Sequence, residues 1–430
     1  MPFPKMMRVR QRFDSREVGD IAAAIKSGID RLVPLKGVRP GQTVAVACSS
    51  RGIANYATIV REVVAALKTM QLAPFIVTAM GSHGSATAEG QQRVLAHLGI
   101  TQASVGAPVR SSLRVVRLGQ TSEGIPVYLD RLASEADHIV LVNRIKKHTE
   151  FTYKFESGLM KLMAIGLGKQ VGAAGYHQAM LTYGYARVIE SVAQKILQDA
   201  PVLLGVGVVE NGYGRTAKIG ICSRETIEAQ EVALFKLAKS LSPALPFEEA
   251  DVIVIDEMGK EISGTGFDTK VVGRIGLPLI TPDPEFPRIK RIVVCDLTAG
   301  SEGNAVGVGN ADIITRRLRD KIDQEALDMN TITGMCPESG RIPLTLANDR
   351  EALEVAIRSV GLVPVEALKI MRIRNTACLG DVDVSTGYAG ALQQRNALEV
   401  VRDWHTLEFD REGNLPPFET NQRRRRPSSL

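Results

Sequence analysis

The sequence predicts an α/β protein of two domains, with mainly parallel sheets flanked by helices and an active cleft at the carboxyl ends of the strands, between the domains. Three observations predict it. Short, continuous Val/Ile-rich runs recur along the chain, and the absence of alternation implies strands buried on both faces, as in parallel sheets. Segments with apolar residues at helical spacing follow several of these runs, which is the α/β alternation. The uncommon polar residues fall directly after the strands, where open α/β sheets bind ligands.

The strand runs, in order, are "TVAVAC" (43–48), "FIVTAM" (75–80), "HIVLVN" (138–143), "VLLGVGVV" (202–209), "VIVID" (252–256) and "IVVCD" (292–296). The helical segments are 56–70, with Asn55 as N-cap, 86–99, with Ser85 or Thr87, and then 185–198 and 311–323. The Ser/Pro-rich "SLSPALPFEEA" precedes the restart of the pattern at "VIVID". Residues 1–245 are therefore expected to form an N-terminal catalytic domain, 246–415 a C-terminal α/β domain closing over the cleft, and 416–430 a disordered basic tail.

Of the 430 residues, 44% are hydrophobic and 23% charged, which suits a soluble globular chain able to bury a large core. The net charge of +6 includes the run Arg423–Arg426, so no nucleic-acid partner is expected. Five scattered cysteines with no CxxC exclude an iron–sulfur or structural zinc site and suit a reducing cytoplasm. No apolar run reaches about 18 residues, and the N-terminus lacks an apolar signal core, so neither a membrane span nor export is expected.

Five strand ends carry the polar clusters: "SSRG" with Arg51, "GSHGS" with His83, "RIKKH" with His148, "ENGYGR" and "EMGK". Taken alone, Arg51 serves equally as a surface ion pair or an anion-binding group, and His148 as solvated surface or catalyst. His83 is flanked by Gly81 and Gly84, which leave its ring free to reach a ligand. His97, late in a helix, His138, opening a strand, and His405, beside the single Trp404, are expected to be structural. Lys161 lies in "SGLMKLMAIGLGK", an apolar, glycine-rich run between His148 and His177; it is either a snorkelling lysine or a chemical one. "GLGK" (166–169) is not a P-loop, "GNAVGVGNAD" (303–312) does not give GxGxxG, and neither GxSxG nor HExxH occurs.

The ordered set "CSSRG", "GSHGSATAEG", His148, "SGLMK" (157–161) and His177 resembles the nickel-pincer nucleotide-dependent lactate racemase family over roughly residues 40–180. The resemblance implies a pyridine-derived mononucleotide held covalently by Lys161 through a thioamide, with Ser50, Ser157 and Gly158 lining it. It implies His177 as the protein ligand of Ni2+, a donor set that suits square-planar nickel. It further implies His83 and His148 as paired acid/base groups, and Arg51 and Arg274 as substrate contacts. Inverting a carbinol carbon by hydride transfer needs a proton partner on each face, which two imidazoles provide near neutral pH.

The sequence departs from that family at Cys48 and Gly52 and in "GTGFDTKVVGR" (264–274), where Asp268 aligns, Gly273 replaces a Gln and Arg274 is the nearest cation. The substrate expected is thus a small-molecule 2-hydroxy acid that need not be lactate and can be larger, such as a sugar acid, the partners are the cofactor-making enzymes, and a homodimer is compatible with the reading. Two alternatives stay open: a metal-free lyase or isomerase using Lys161 as a Schiff-base lysine, and a non-catalytic ligand-binding homologue.

Overall fold

The computed structural model describes residues 2–33, 35, 37–277, 280–393 and 398–419. The chain divides into two compact units, one of Asp14–Ser242 and one of the residues up to Phe13 together with those from Pro243. The division falls in the Ser/Pro-rich segment. The first thirteen residues, however, join the C-terminal unit, where β1 (Met6–Gln11) lies in a sheet.

The N-terminal unit contains β2 (Thr43–Cys48), β3 (Ala73–Thr78), β4 (Val109–Arg110), β5 (Val115–Gln120), β6 (Pro126–Asp130), β7 (His138–Arg144), β8 (Val202–Glu210) and β9 (Thr216–Ser223). Six of these form a sheet of order β4-β3-β2-β7-β8-β9, with β5 and β6 as a separate antiparallel ribbon. All neighbours in the six-stranded sheet are parallel except β8 and β9. Val44 to Cys48 are all inaccessible to solvent, as a strand covered on both faces must be. Val44, Val46 and Cys48 pack with Ile59, Val60 and Val63 of the helix Tyr56–Thr69. Fully burying each such side chain is worth about 1.5–3 kcal/mol.

Of the two helix caps expected from the sequence, one forms and the other does not. Thr87 accepts a hydrogen bond from the Gly90 backbone N–H at 3.0 Å and starts the helix Ala88–His97. Asn55, expected to cap the helix at Tyr56, sits in the left-handed region (φ 60°) and sends its amide to Thr216 Oγ1 at 3.1 Å, so it makes no cap bond. Its side chain ties the helix to β9 instead.

In the C-terminal unit β10 (Glu249–Ile255), β11 (Arg288–Val294), β12 (Ile313–Thr315), β13 (Leu344–Leu346), β14 (Ile370–Ile373), β15 (Asp381–Ser385) and β16 (Leu398–His405) join β1 in the order β13-β12-β11-β10-β14-β15-β1-β16. The five strands from β13 to β14 are parallel; β15, β1 and β16 continue antiparallel. Ile253 and Ile255 pack on one face, Val252 and Val254 on the other. Charge draws β1 to its place: Arg8 and Arg10 lie opposite Asp383 and Asp381, and each guanidinium grips its carboxylate through two hydrogen bonds.

Three expectations are corrected here. The segment 311–323 is not one helix: Ile313–Thr315 form β12 and the helix covers only Arg316–Asp320. Three consecutive β-branched residues favour the pleated conformation that the helical reading overlooked. The "EMGK" strand end belongs to β10, in a different sheet from the other four clusters. Finally, the start of the expected tail is packed: Phe418 is buried, Arg8 stacks on its ring at 4.0 Å, and its N–H donates to Asp256 Oδ2 at 3.2 Å. The Arg423–Arg426 run lies outside the described residues.

Candidate active site at the carboxyl edge of the N-terminal sheet

Parallel pairing carries the ends of β2, β3, β7 and β8 to one edge of the N-terminal sheet. After β2, the Ser49 N–H donates to the Tyr56 hydroxyl at 2.7 Å, which turns the chain so that Ser50 and Arg51 follow at the edge. After β3, Gly81 and Gly84 adopt positive φ (58° and 66°) around His83. A Cβ on Gly84 would come within 2.6 Å of the Gln91 backbone nitrogen, so only glycine fits there. The Ser50 hydroxyl and His83 Nδ1 are hydrogen-bonded, which leaves Nε2 as the outer ring nitrogen.

After β7 the chain loops out and returns. Lys146 and Ser157 exchange both backbone hydrogen bonds (2.9 and 3.1 Å), folding residues 147–156 over the edge. Within that loop the His148 N–H donates to Glu156 Oε2 at 2.6 Å, and His148 Nδ1 accepts from the Glu150 N–H at 3.1 Å. Its ring lies 4.7 Å from that of Phe151. With Nδ1 an acceptor, the neutral ring carries its proton on Nε2, which meets Lys161 Nζ directly.

Lys161 ends the short helical turn Leu159–Lys161, and a π-helical turn, Leu162–Gly166, follows at once. Such wide turns interrupt α-helices frequently at functional sites. Burial and the nearby positive charge of Arg51 push the Lys161 amine down to about 8, although Glu150 pulls it up. A large fraction of Lys161 is therefore the neutral, nucleophilic amine near pH 8. The start of this turn is held by two side chains, one of which also leaves no room for a Cβ at Gly158. Asn143 Nδ2 donates to the Gly158 carbonyl at 2.7 Å, Glu231 Oε2 accepts from the Met160 N–H at 2.8 Å, and a Cβ on Gly158 would sit 2.1 Å from Glu231 Oε1.

Arg51 is exposed and has neither a hydrogen bond nor an ion pair among the described residues. The surrounding protein and the like charge of Arg144 lower its pKa. Arg144, by contrast, is anchored to Glu210 Oε2 at 2.7 Å, while Glu210 Oε1 accepts from the Ala54 N–H at 2.7 Å. The end of β8 thus fixes one arginine and leaves the other available for an anion.

Of the residues singled out in the sequence, the structure brings Ser50 to His83 and His148 to Lys161, with Arg51 close enough for its charge to act on the lysine. Ser157 and Gly158 border the same turn. His177 follows in the helix Leu167–Tyr183, with Nδ1 buried. Arg274 belongs to the C-terminal unit, where its guanidinium holds Asp312 Oδ2 at 2.7 Å and the Asn310 and Ile289 carbonyls. That engagement is what a structural arginine makes. Sequence reasoning passed over Glu156, Glu231, Gln91 and Lys169, and met Arg144 only as the first residue of "RIKKH". Only Lys169 carried a signal, being a second lysine in the same glycine-rich run.

Fold and site together define a parallel α/β unit with an activated lysine, two imidazoles and an unpaired arginine at one strand edge. Residues 7–188 match the family of the lactate racemase N-terminal domain, so the family resemblance read from the sequence holds over that stretch. Among solved structures, the chain is similar to a Thermotoga maritima protein (16% identity, TM-score 0.47, covering 64% of this chain and 70% of that one). It is also similar to the lactate racemase apoprotein from Thermoanaerobacterium thermosaccharolyticum (14% identity, TM-score 0.44, covering 66% of this chain and 69% of that one). No curated protein matches the sequence. Among the described residues, no helix is long and apolar enough to cross a membrane.

Proposed function

We propose that the protein is a racemase or epimerase of 2-hydroxy acids, working in the cytoplasm with a nickel-pincer nucleotide attached at Lys161 and nickel ligated by His177. The observation that carries the proposal is the Lys161 amine, lowered to about 8 and set against His148 beside the unpaired Arg51. The residues fit such a group. A half-buried amine that is about half neutral near pH 8 is able to form an amide-type bond. Among the described residues no three His, Cys, Asp or Glu side chains gather as a metal site. A metal held mainly by an organic sulfur ligand asks the protein for a single imidazole.

The cofactor, when bound, supplies the acceptor and donor of hydride. The protein supplies the rest. Arg51 takes the substrate carboxylate in its planar fork. His83, in the tautomer whose Nδ1–H donates to Ser50, has a bare Nε2 to receive the hydroxyl proton, and His148, whose Nδ1 accepts from the Glu150 N–H, carries on Nε2 the proton returned on the opposite face, so neither group has to cross the site. Ser50 holds His83 through Nδ1, and the Glu150 N–H holds His148 through Nδ1, so both rings present Nε2. Attachment through Lys161 removes that amine's charge and frees His148 Nε2 for the substrate.

The test is co-expression with enzymes that make the cofactor, followed by intact-mass and nickel analysis and a panel of 2-hydroxy acids. One adduct per chain, lost in Lys161→Ala, and inversion of at least one acid are expected. An adduct that persists in Lys161→Ala overturns the proposal. The lowered Lys161 pKa also suits a Schiff-base enzyme; trapping of a 2-oxo acid on Lys161 by borohydride in nickel-free protein would select that reading.

A further inference from the structure

A second lysine lies deeper in the same unit, and nothing in the proposed chemistry uses it. Lys169 is completely buried, and so is Asp130, its ion-pair partner at 3.0 Å. Its backbone adopts φ 54° and ψ −160° inside the helix Leu167–Tyr183, a region almost confined to glycine. The chain therefore breaks a helix and holds a strained residue in order to bury a charge. A charge enclosed at such expense has an arrangement to maintain.

That arrangement leads to His83. Lys169 Nζ donates to the Thr78 carbonyl at the end of β3, lies 2.9 Å from Thr78 Oγ1, and donates to Gln91 Oε1 at 3.2 Å. The Thr78 hydroxyl donates to the same Gln91 oxygen at 2.9 Å. Two donors thus converge on one side of the Gln91 amide, and its NH2 must face the other way. There it donates to the Gly81 carbonyl at 2.8 Å and the His83 carbonyl at 3.3 Å. A flipped Gln91 would set its NH2 against the ammonium and its oxygen against two carbonyls, so the lysine fixes the amide's orientation. The same loop is held from the π-helical turn by the bond from the Gly81 N–H to the Gly166 carbonyl at 3.2 Å.

We propose that Lys169 is a positioning residue: its buried ammonium orients the Gln91 amide, and that amide holds the backbone on which the His83 imidazole is presented. That His83 then moves a proton rests on the function proposed above; the positioning itself does not.

Gln91→Glu separates orientation from packing. The glutamate keeps an oxygen for Lys169 and adds an opposite charge, yet it has no hydrogen to give Gly81 and His83. The readout is the imidazole spectrum of protein without cofactor, labelled on its six histidines, with hydrogen exchange of the 81–84 amides. We expect the His83 ring signals to move or broaden and those amides to exchange at least tenfold faster, while the melting temperature stays near that of the parent.

Lys169→Met alone leaves Asp130 buried and unpaired, so Lys169→Met with Asp130→Asn is the folded companion; it should reproduce the His83 signature. In cofactor-loaded protein both variants should lose roughly ten- to hundredfold in kcat with KM within twofold. Unchanged His83 spectra and amide exchange in both variants overturn the proposal, whether or not the protein ever carries the cofactor.

Discussion

Glu231 gives the sharpest prediction about how the lysine turn is held. It is completely buried in the helix Ile227–Leu241, with Oε2 accepting from the Met160 N–H and Oε1 without a hydrogen-bond partner. Burial raises its carboxyl from 4.5 to about 8, only partly opposed by the Met160 and Leu159 N–H groups, while Glu228 raises it further. The sign follows from linkage. Between 4.5 and 8 the unfolded chain has lost this proton and the native chain keeps it, so stability from this group is full below 4.5 and falls as pH rises.

Each pH unit in that window costs about 1.4 kcal/mol, so ~3 kcal/mol is lost by pH 7, with no further loss above 8. For a unit of this size the pH 7 loss corresponds to roughly 6–12 °C in melting temperature. Glu231→Gln keeps an acceptor for Met160 and cannot ionise; its NH2 occupies the place of the unpartnered oxygen at every pH. Thermal melts of both proteins from pH 5 to 9 should therefore show the variant gaining on the parent up to pH 8 and then holding steady. A difference that stays flat across that range refutes the buried-acid reasoning.

Three further outcomes are expected. Arg51→Ala should weaken 2-hydroxy acid binding roughly 10- to 100-fold, the worth of a hydrogen-bonded charge; calorimetry that finds unchanged affinity removes Arg51 from the site. An amine-reactive ester should modify Lys161 with a rate that climbs about tenfold per pH unit and levels near pH 8, whereas ordinary lysines continue to climb past pH 10. Peptide mass analysis showing no plateau contradicts the lowered pKa. All five cysteines are buried, and burial lifts the Cys48 and Cys222 thiols to about 12. The native protein should thus resist thiol reagents until denatured, and rapid labelling of Cys48 or Cys222 in native protein would oppose this.

What the sequence by itself determined was local or ordered along the chain. Unbroken Val/Ile runs identified β2, β7, β8 and β10 because burial on both faces leaves no alternation. Strand ends announced Arg51, His83 and His148 because parallel pairing brings successive carboxyl ends to one edge. The family pattern singled out Lys161 and His177 in the same way, through order and spacing.

What only the tertiary structure decided depended on partners far apart in sequence. The first strand left its own neighbours for β15 and β16, since the opposed Arg and Asp side chains lie more than 370 residues away. Arg274, implied as a substrate contact by the family resemblance, is engaged by Asp312 and three backbone carbonyls that the sequence did not bring to it. Lys169 and Lys161 stand eight positions apart in one run, yet only folding assigns one to the site and the other to the core. Its ammonium gathers Thr78, Gln91 and Asp130 from three separate elements, and no local pattern encodes that meeting.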